Sequence, residues 1–258
     1  MADPRIGLSL EGHIAILTFA RPDKLNAFDL DMLRALSEAC DAAEASSARA
    51  LVLTGSGKAF SAGGDITAWA AMAPNAFGHD WVRMGHRVLS RLAGLRMPVV
   101  AALNGHALGG GLEIAAAADI RIAQTGIKIG LPETGLGMVP GWSGTQRLVT
   151  RFGARLVRRM ALGGEVFSAE EALALGIVDK VVEPGEARSA AIAYAEAIAA
   201  RGPAATETAK LMIAAASGED AGAAVEALGS MLVAGTADLK EGVAAFTGKR
   251  APDFRGEW

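Results

Sequence analysis

Cysteine is all but missing from this 258-residue chain: Cys40 stands alone, so no internal disulfide can form. The spacing Leu30, Leu33, Leu36, Cys40 puts it on the apolar side of a helix, where a thiol packs as a small hydrophobe. Aromatic residues are scarce too, 5% with one tyrosine, which argues against a glycosidase with a platform of rings for sugars. No apolar run approaches the roughly 18 residues of a membrane-spanning helix, and Met1-Ala2-Asp3-Pro4-Arg5 lacks the apolar stretch of a secretory signal. A cytoplasmic protein with no membrane partner is expected. With 25 basic and 28 acidic side chains the net charge is −3, and no long basic block exists to attract nucleic acid. An RNA-binding role without catalysis would need a basic face, and the sequence shows none.

Several chemical signatures are absent as well. Gly57-Lys58 lacks the P-loop frame, neither Ser61 nor Ser143 lies in G-x-S-x-G, and Gly105 to Gly111 does not spell a dinucleotide-binding loop. His13, His79, His86 and His106 have no metal-ligand spacing, so no metal is expected.

What is present is a large core: 51% of residues are hydrophobic. Leu8–Leu10 and Ile14–Phe19 flank Glu11-Gly12-His13 as a β-hairpin, and an amphipathic helix from about Asp29 to Ala45 leads to a strand at 50–54. Phe77, Trp81, Met84, Val88 and Leu92 keep helical spacing, and Pro98–Leu103 reads as a buried strand. Short strands follow near 120–123 and 127–130. Ser168-Ala169-Glu170-Glu171 is a capping box opening a helix that stops at Gly176. Strands and helices alternate up to about residue 185, which indicates an α/β core over residues 1–185. Residues 186–258 read as helices only, alanine-rich and poor in large side chains, suited to packing on the core or on another subunit.

The chain is organised around Asn104–Glu113, where Gly109-Gly110-Gly111 joins a strand to a helix. Glycines there let backbone N–H groups approach a ligand, and the first helical turn offers unpaired donors to an oxygen bearing negative charge. Phe60–Ile66, with Gly63-Gly64, is a second such turn. Glu113 falls in the first turn of an otherwise apolar helix, and Glu133 ends a strand 133 − 113 = 20 positions later. Two amides can hold the oxyanion of a thioester enolate, and two carboxyls in an apolar cleft can differ in proton affinity, as proton transfer at carbon requires. Each piece also serves plain purposes: glycine runs make turns, a first-turn glutamate meets the helix dipole, and Trp69 and Trp142 can be packing residues.

Taken together the motifs resemble the enoyl-CoA hydratase/isomerase (crotonase) superfamily over nearly the whole chain. The likeness runs through Arg21-Pro22 with Leu25-Asn26-Ala27, Lys58–Ile66, Asn104–Glu113, Leu131-Pro132-Glu133, Gly141–Leu148 and Glu170-Glu171-Ala172 with Gly176, in family order. It implies a crotonase-like spiral of repeated ββα units, with a C-terminal helical region that builds a homotrimer or a dimer of trimers. It also implies an acyl-CoA substrate and, coenzyme A being part of that substrate, no separate cofactor. The oxyanion hole would be the N–H groups of Gly64 and Gly110. Glu113 would activate water at the β-carbon and Glu133 would handle the proton at the α-carbon of a 2-trans-enoyl-CoA. CoA would run past Lys24, Leu25, Ala62, Asp65 and Ile66, with Phe246 and Lys249 of a neighbouring subunit at the nucleotide. A double-bond isomerase is the alternative; relatives of that kind commonly lack the first glutamate. Two departures stand out: Thr67 occupies a position where many relatives have lysine, and Trp142 replaces a small residue, which implies a restricted acyl pocket.

Overall fold

A computed structural model describes residues 3–256. In chain order the strands are β1 Ile6–Glu11, β2 Ile14–Phe19, β3 Ala50–Gly55, β4 Ala59–Ser61, β5 Val99–Leu103, β6 His106–Leu108, β7 Ile120–Gln124, β8 Lys128–Gly130, β9 Val166–Ser168 and β10 Lys180–Val182. The helices are α1 Leu30–Ala45, α2 Ile66–Trp69, α3 Pro74–Ala76, α4 Arg83–Ala93, α5 Gly110–Ala115, α6 Arg147–Phe152, α7 Ala154–Gly163, α8 Ala169–Ala174, α9 Ala187–Ala199, α10 Pro203–Ala216, α11 Ala221–Ala234 and α12 Ala237–Thr247.

Two sheets share these strands. One runs β1-β2-β3-β5-β7-β10, the other β4-β6-β8-β9. The pairs β3/β4, β5/β6 and β7/β8 each send their first strand to the large sheet and their second to the small one, so each repeat advances the spiral by one step. From β2 to β10 the large sheet is parallel, and β3 and β5 are buried throughout, as expected of strands covered on both faces. Alternate residues separate: Leu51, Leu53, Ala101 and Leu103 join the main core with α1 and α4, while Ile16, Val52, Val100 and Ile122 face the other way.

That second face is covered by α9, whose Ala187, Ala191 and Ala195 recur every fourth residue and are buried on it. The first compact unit accordingly extends to Glu207, and the second begins at Thr208. Small side chains make α9 look like part of a weakly packing tail; in a sheet-covering helix they permit close approach. In the second unit Thr236 caps α12 through the Leu239 amide, and Glu241 and Asp238 hold the terminal segment through Arg250 and the Arg255 amide. Among the described residues no helix is long and apolar enough to cross a membrane.

Local expectations hold in detail. Asp29 caps α1, Cys40 is buried on that helix, and Ser168 and Glu171 form the reciprocal capping box. One differs: the helix expected through Phe77 and Trp81 opens with a π-helical turn, Phe77–Val82, before α4. Such wide turns concentrate near functional sites, and Phe77, Trp81 and Val82 all line a cavity.

Candidate active site

The loop leaving β2 builds the first glycine turn. Leu25 and Asn26 both have positive φ, and Asn26, fully buried, accepts from the Arg21 amide and donates to the carbonyls of Ser56 and Ala59. From this frame the Leu25 carbonyl accepts from the Ala62 amide, the Phe28 amide donates to Gly63, and the Asp65 amide donates to Phe28. Phe28 and Gly64 form a lone parallel bridge. The Gly64 N–H is left facing away from that bridge.

The second turn lies against it. Gly109, with φ of 55°, starts α5, and a Cβ on Gly63 would come within 2.6 Å of the Gly110 nitrogen. Both turns therefore need glycine for proximity as well as for φ. Among the described residues neither the Gly64 nor the Gly110 amide donates a hydrogen bond, and both residues line one cavity of about 260 Å³. Two orphan donors at an apolar pocket are groups waiting for an acceptor.

The same cavity is lined by both glutamates. Glu113, 2% exposed on α5, accepts from the Trp142 amide at 2.7 Å and the Gly144 amide at 2.6 Å, both at Oε1. Burial first, then the charge of Glu133, pushes its pKa up to about 8 against the pull of those amides. Glu133 begins a 3₁₀ turn, Glu133–Leu136, and burial raises its pKa as well; neither of its carboxyl oxygens has a partner. A Cβ on Gly109 would lie 3.2 Å from Glu133 Oε1, so this carboxyl leans on the second glycine turn. One acid is held by amides and one is free to meet a ligand.

Aromatic side chains supply the walls. Trp69, Phe77, Trp81 and Trp142 line the cavity, with Trp142 only 2% exposed and Trp81 beside it at 5.1 Å between centroids, the rings tilted by 42°. Trp69 and Trp81 both reach Gly64, and Trp142 covers Gly110. Three of the four tryptophans of this chain thus stand at the cavity, where they exclude water.

Of the other expected contacts, Ala62 and Ile66 line the cavity, and Lys24 and Leu25 are exposed and not among its lining residues. Asp65 is not among the residues lining the cavity; its side chain is buried, caps α2 through Thr67, and pairs with Arg21 at 2.8 Å, so it holds the first turn. Arg21 was visible only as part of a motif. Phe246, 87% exposed, and Lys249 belong to the second unit. Trp81 lines the cavity although its helical spacing marked only a core face, and His86, read only as a histidine without metal-ligand spacing, lines it too; nothing local distinguishes a cavity wall from a core contact. Among the described residues no group of three or more His, Cys, Asp or Glu is placed to hold a metal ion.

The raised proton affinity of Glu113 has a stability consequence. In the folded chain it keeps its proton to about pH 8, in the unfolded chain it loses it near 4.5, so folding binds a proton in that window and stability falls as pH rises through it. Glu113→Gln removes this cost. The Tm gain of the variant over wild type is expected to grow by at least about 3 °C between pH 5 and pH 8. A pH-independent Tm difference in calorimetry would contradict the buried-acid reading.

A family model described as enoyl-CoA hydratase/isomerase matches residues 9–257. A short-chain-enoyl-CoA hydratase of Clostridium acetobutylicum is 39% identical, with 94% of each chain covered. A crotonyl-CoA hydratase of Syntrophomonas wolfei is 37% identical over 98% of this chain and 99% of its own. Among solved structures, DspI of Pseudomonas aeruginosa superposes with a TM-score of 0.83 at 35% identity, covering 99% of this chain and 98% of that one.

Proposed function

The chain belongs to the enoyl-CoA hydratase/isomerase family, and from that premise we propose a division of labour for its hydro-lyase reaction, the addition of water across the 2,3-double bond of a 2-trans-enoyl-CoA. The thioester oxygen accepts from the Gly64 and Gly110 amides, which stabilise the enolate as charge moves onto it. In its ionised form, whose share grows as pH rises towards about 8, Glu113, oriented by the Trp142 and Gly144 amides, takes a proton from the attacking water at the β-carbon. Glu133 gives a proton to the α-carbon. The observation that carries this reading is the meeting of two unpartnered amides and two buried carboxyls on one apolar cavity.

An isomerase needs one shuttling carboxyl; the presence of Glu113, buried and gripped, favours hydration. The reaction so written calls on no metal or redox cofactor. We place it in the cytoplasm, and assign the homotrimer or dimer of trimers to the second unit, where Val225, Met231, Leu232, Val243 and Phe246 are exposed. Lys24, Leu25, Ala62 and Ile66 are proposed to border the CoA path, with Phe246 and Lys249 at a neighbouring subunit's nucleotide. Mixing the protein with crotonyl-CoA tests the reaction: the conjugated-thioester absorbance is expected to fall as 3-hydroxybutyryl-CoA forms. Migration of a 3-enoyl double bond with no hydration would make it an isomerase.

Trp142 sets the acyl space. Its indole sits where a Cβ of Gly85 would be, 2.0 Å from Cδ1, and covers Gly110. Trp142→Ala opens that volume while keeping the backbone amide. The ratio of kcat/KM for octenoyl-CoA over crotonyl-CoA is expected to rise about tenfold, within the 1–3 kcal/mol, roughly, that pocket contacts with a methylene are worth. An unchanged ratio would remove Trp142 as the restricting wall.

A further inference from the structure

His86 lies outside the reaction as written, yet it borders the cavity and touches the turn that grips Glu113. Consecutive residues of α4 receive consecutive residues of that turn. Gly85 leaves room for the Trp142 indole, and His86 Nδ1 lies 3.1 Å from the Ser143 hydroxyl, with Gln146 Nε2 3.4 Å from the same ring nitrogen. Ser143 is buried and has φ of 88°, a conformation L residues rarely adopt. It stands between the two amides that converge on Glu113 Oε1. Two N–H groups one residue apart point at one oxygen when the residue between them turns with opposite hand, as in an anion-binding nest.

We propose that His86 is a positioning residue for Glu113: it holds Ser143 in its left-handed conformation, and through it aims the Trp142 and Gly144 amides at the carboxylate. The inference rests on the two-glutamate reading above. Those amides favour the ionised form of Glu113, so loosening them raises its proton affinity. The other charges acting on Glu113 are Glu133 and Arg147, and Arg147 also acts on His86. None of these is altered by the variants below.

The test is the pH dependence of crotonyl-CoA hydration in His86→Ala, Ser143→Ala and His86→Ala/Ser143→Gly, beside wild type. For both single variants kcat is expected to fall roughly tenfold with KM within about twofold, since a displaced catalytic group costs turnover more than binding. The acid limb of the profile is expected to move up by about half a unit or more, because less of Glu113 is ionised at a given pH. Glycine needs no support at positive φ, so the double variant is expected to recover most of the turnover and the wild-type limb. A loss of kcat without movement of the limb gives His86 a purely structural role and overturns the proposal. So does a double variant no better than His86→Ala. If His86→Ala does not fold, Ser143→Ala carries the same two readouts. Wild type that fails to hydrate crotonyl-CoA defeats the two-glutamate reading itself; active wild type with unmoved variants defeats only the role of His86.

Discussion

Glu113→Gln and Glu133→Gln are each expected to lose at least about a hundredfold in kcat for crotonyl-CoA with KM little changed, the scale of removing a positioned acid or base. Glutamine keeps the shape and, at position 113, an oxygen for the Trp142 and Gly144 amides, so the loss reports proton transfer and not packing. The two substitutions interrupt different halves of one addition: water cannot be deprotonated without Glu113, and the enolate carbon cannot be protonated without Glu133. Hydrogen–deuterium exchange at the α-carbon separates them, being expected to vanish in Glu133→Gln. Wild-type turnover in both variants would refute the assignment.

Gly111→Ala is expected to damage both stability and rate although Gly111 contributes no catalytic group. A Cβ there would lie 2.0 Å from the Ser61 carbonyl oxygen and 2.8 Å from its carbon, at the end of β4 just before the first glycine turn. Backbone on both sides leaves no side chain to swing away. The two turns must part by roughly 1 Å or more, and a misplacement of that size costs about a hundredfold in rate. Overpacking adds about 1–3 kcal/mol of destabilisation. Circular dichroism on a folded variant, Tm and kcat/KM check this. Wild-type kinetics in Gly111→Ala would mean that the Gly64 and Gly110 amides need not act on the same oxygen.

The pairing of turns explains which parts of the site could be read directly. Glycine runs, each between a strand and a helix, are local patterns with a local cause, and Glu113 is tied to one of them by helical spacing. Asp65 sits in the same kind of pattern, but its ion pair joins it to Arg21, more than forty positions away in the chain, and no local signal announces it. His86 and Trp81 look like ordinary residues of an amphipathic helix until Trp142 and Ser143 are brought against them. Small alanines on α9 look weakly packing until the apolar cluster on the back of the large sheet is present to receive them.

Sequence alone therefore determined the alternation of strands and helices, the caps, the two glycine turns and the pair of glutamates, since each depends on neighbours within a few positions. Only the tertiary structure decided that Gly64 and Gly110 share a cavity, that Glu113 is buried deeply enough to hold its proton to about pH 8, and that the compact core runs to Glu207. The physical reason is that burial and convergence are properties of segments remote along the chain, and desolvation acts on a group only when those segments have closed around it.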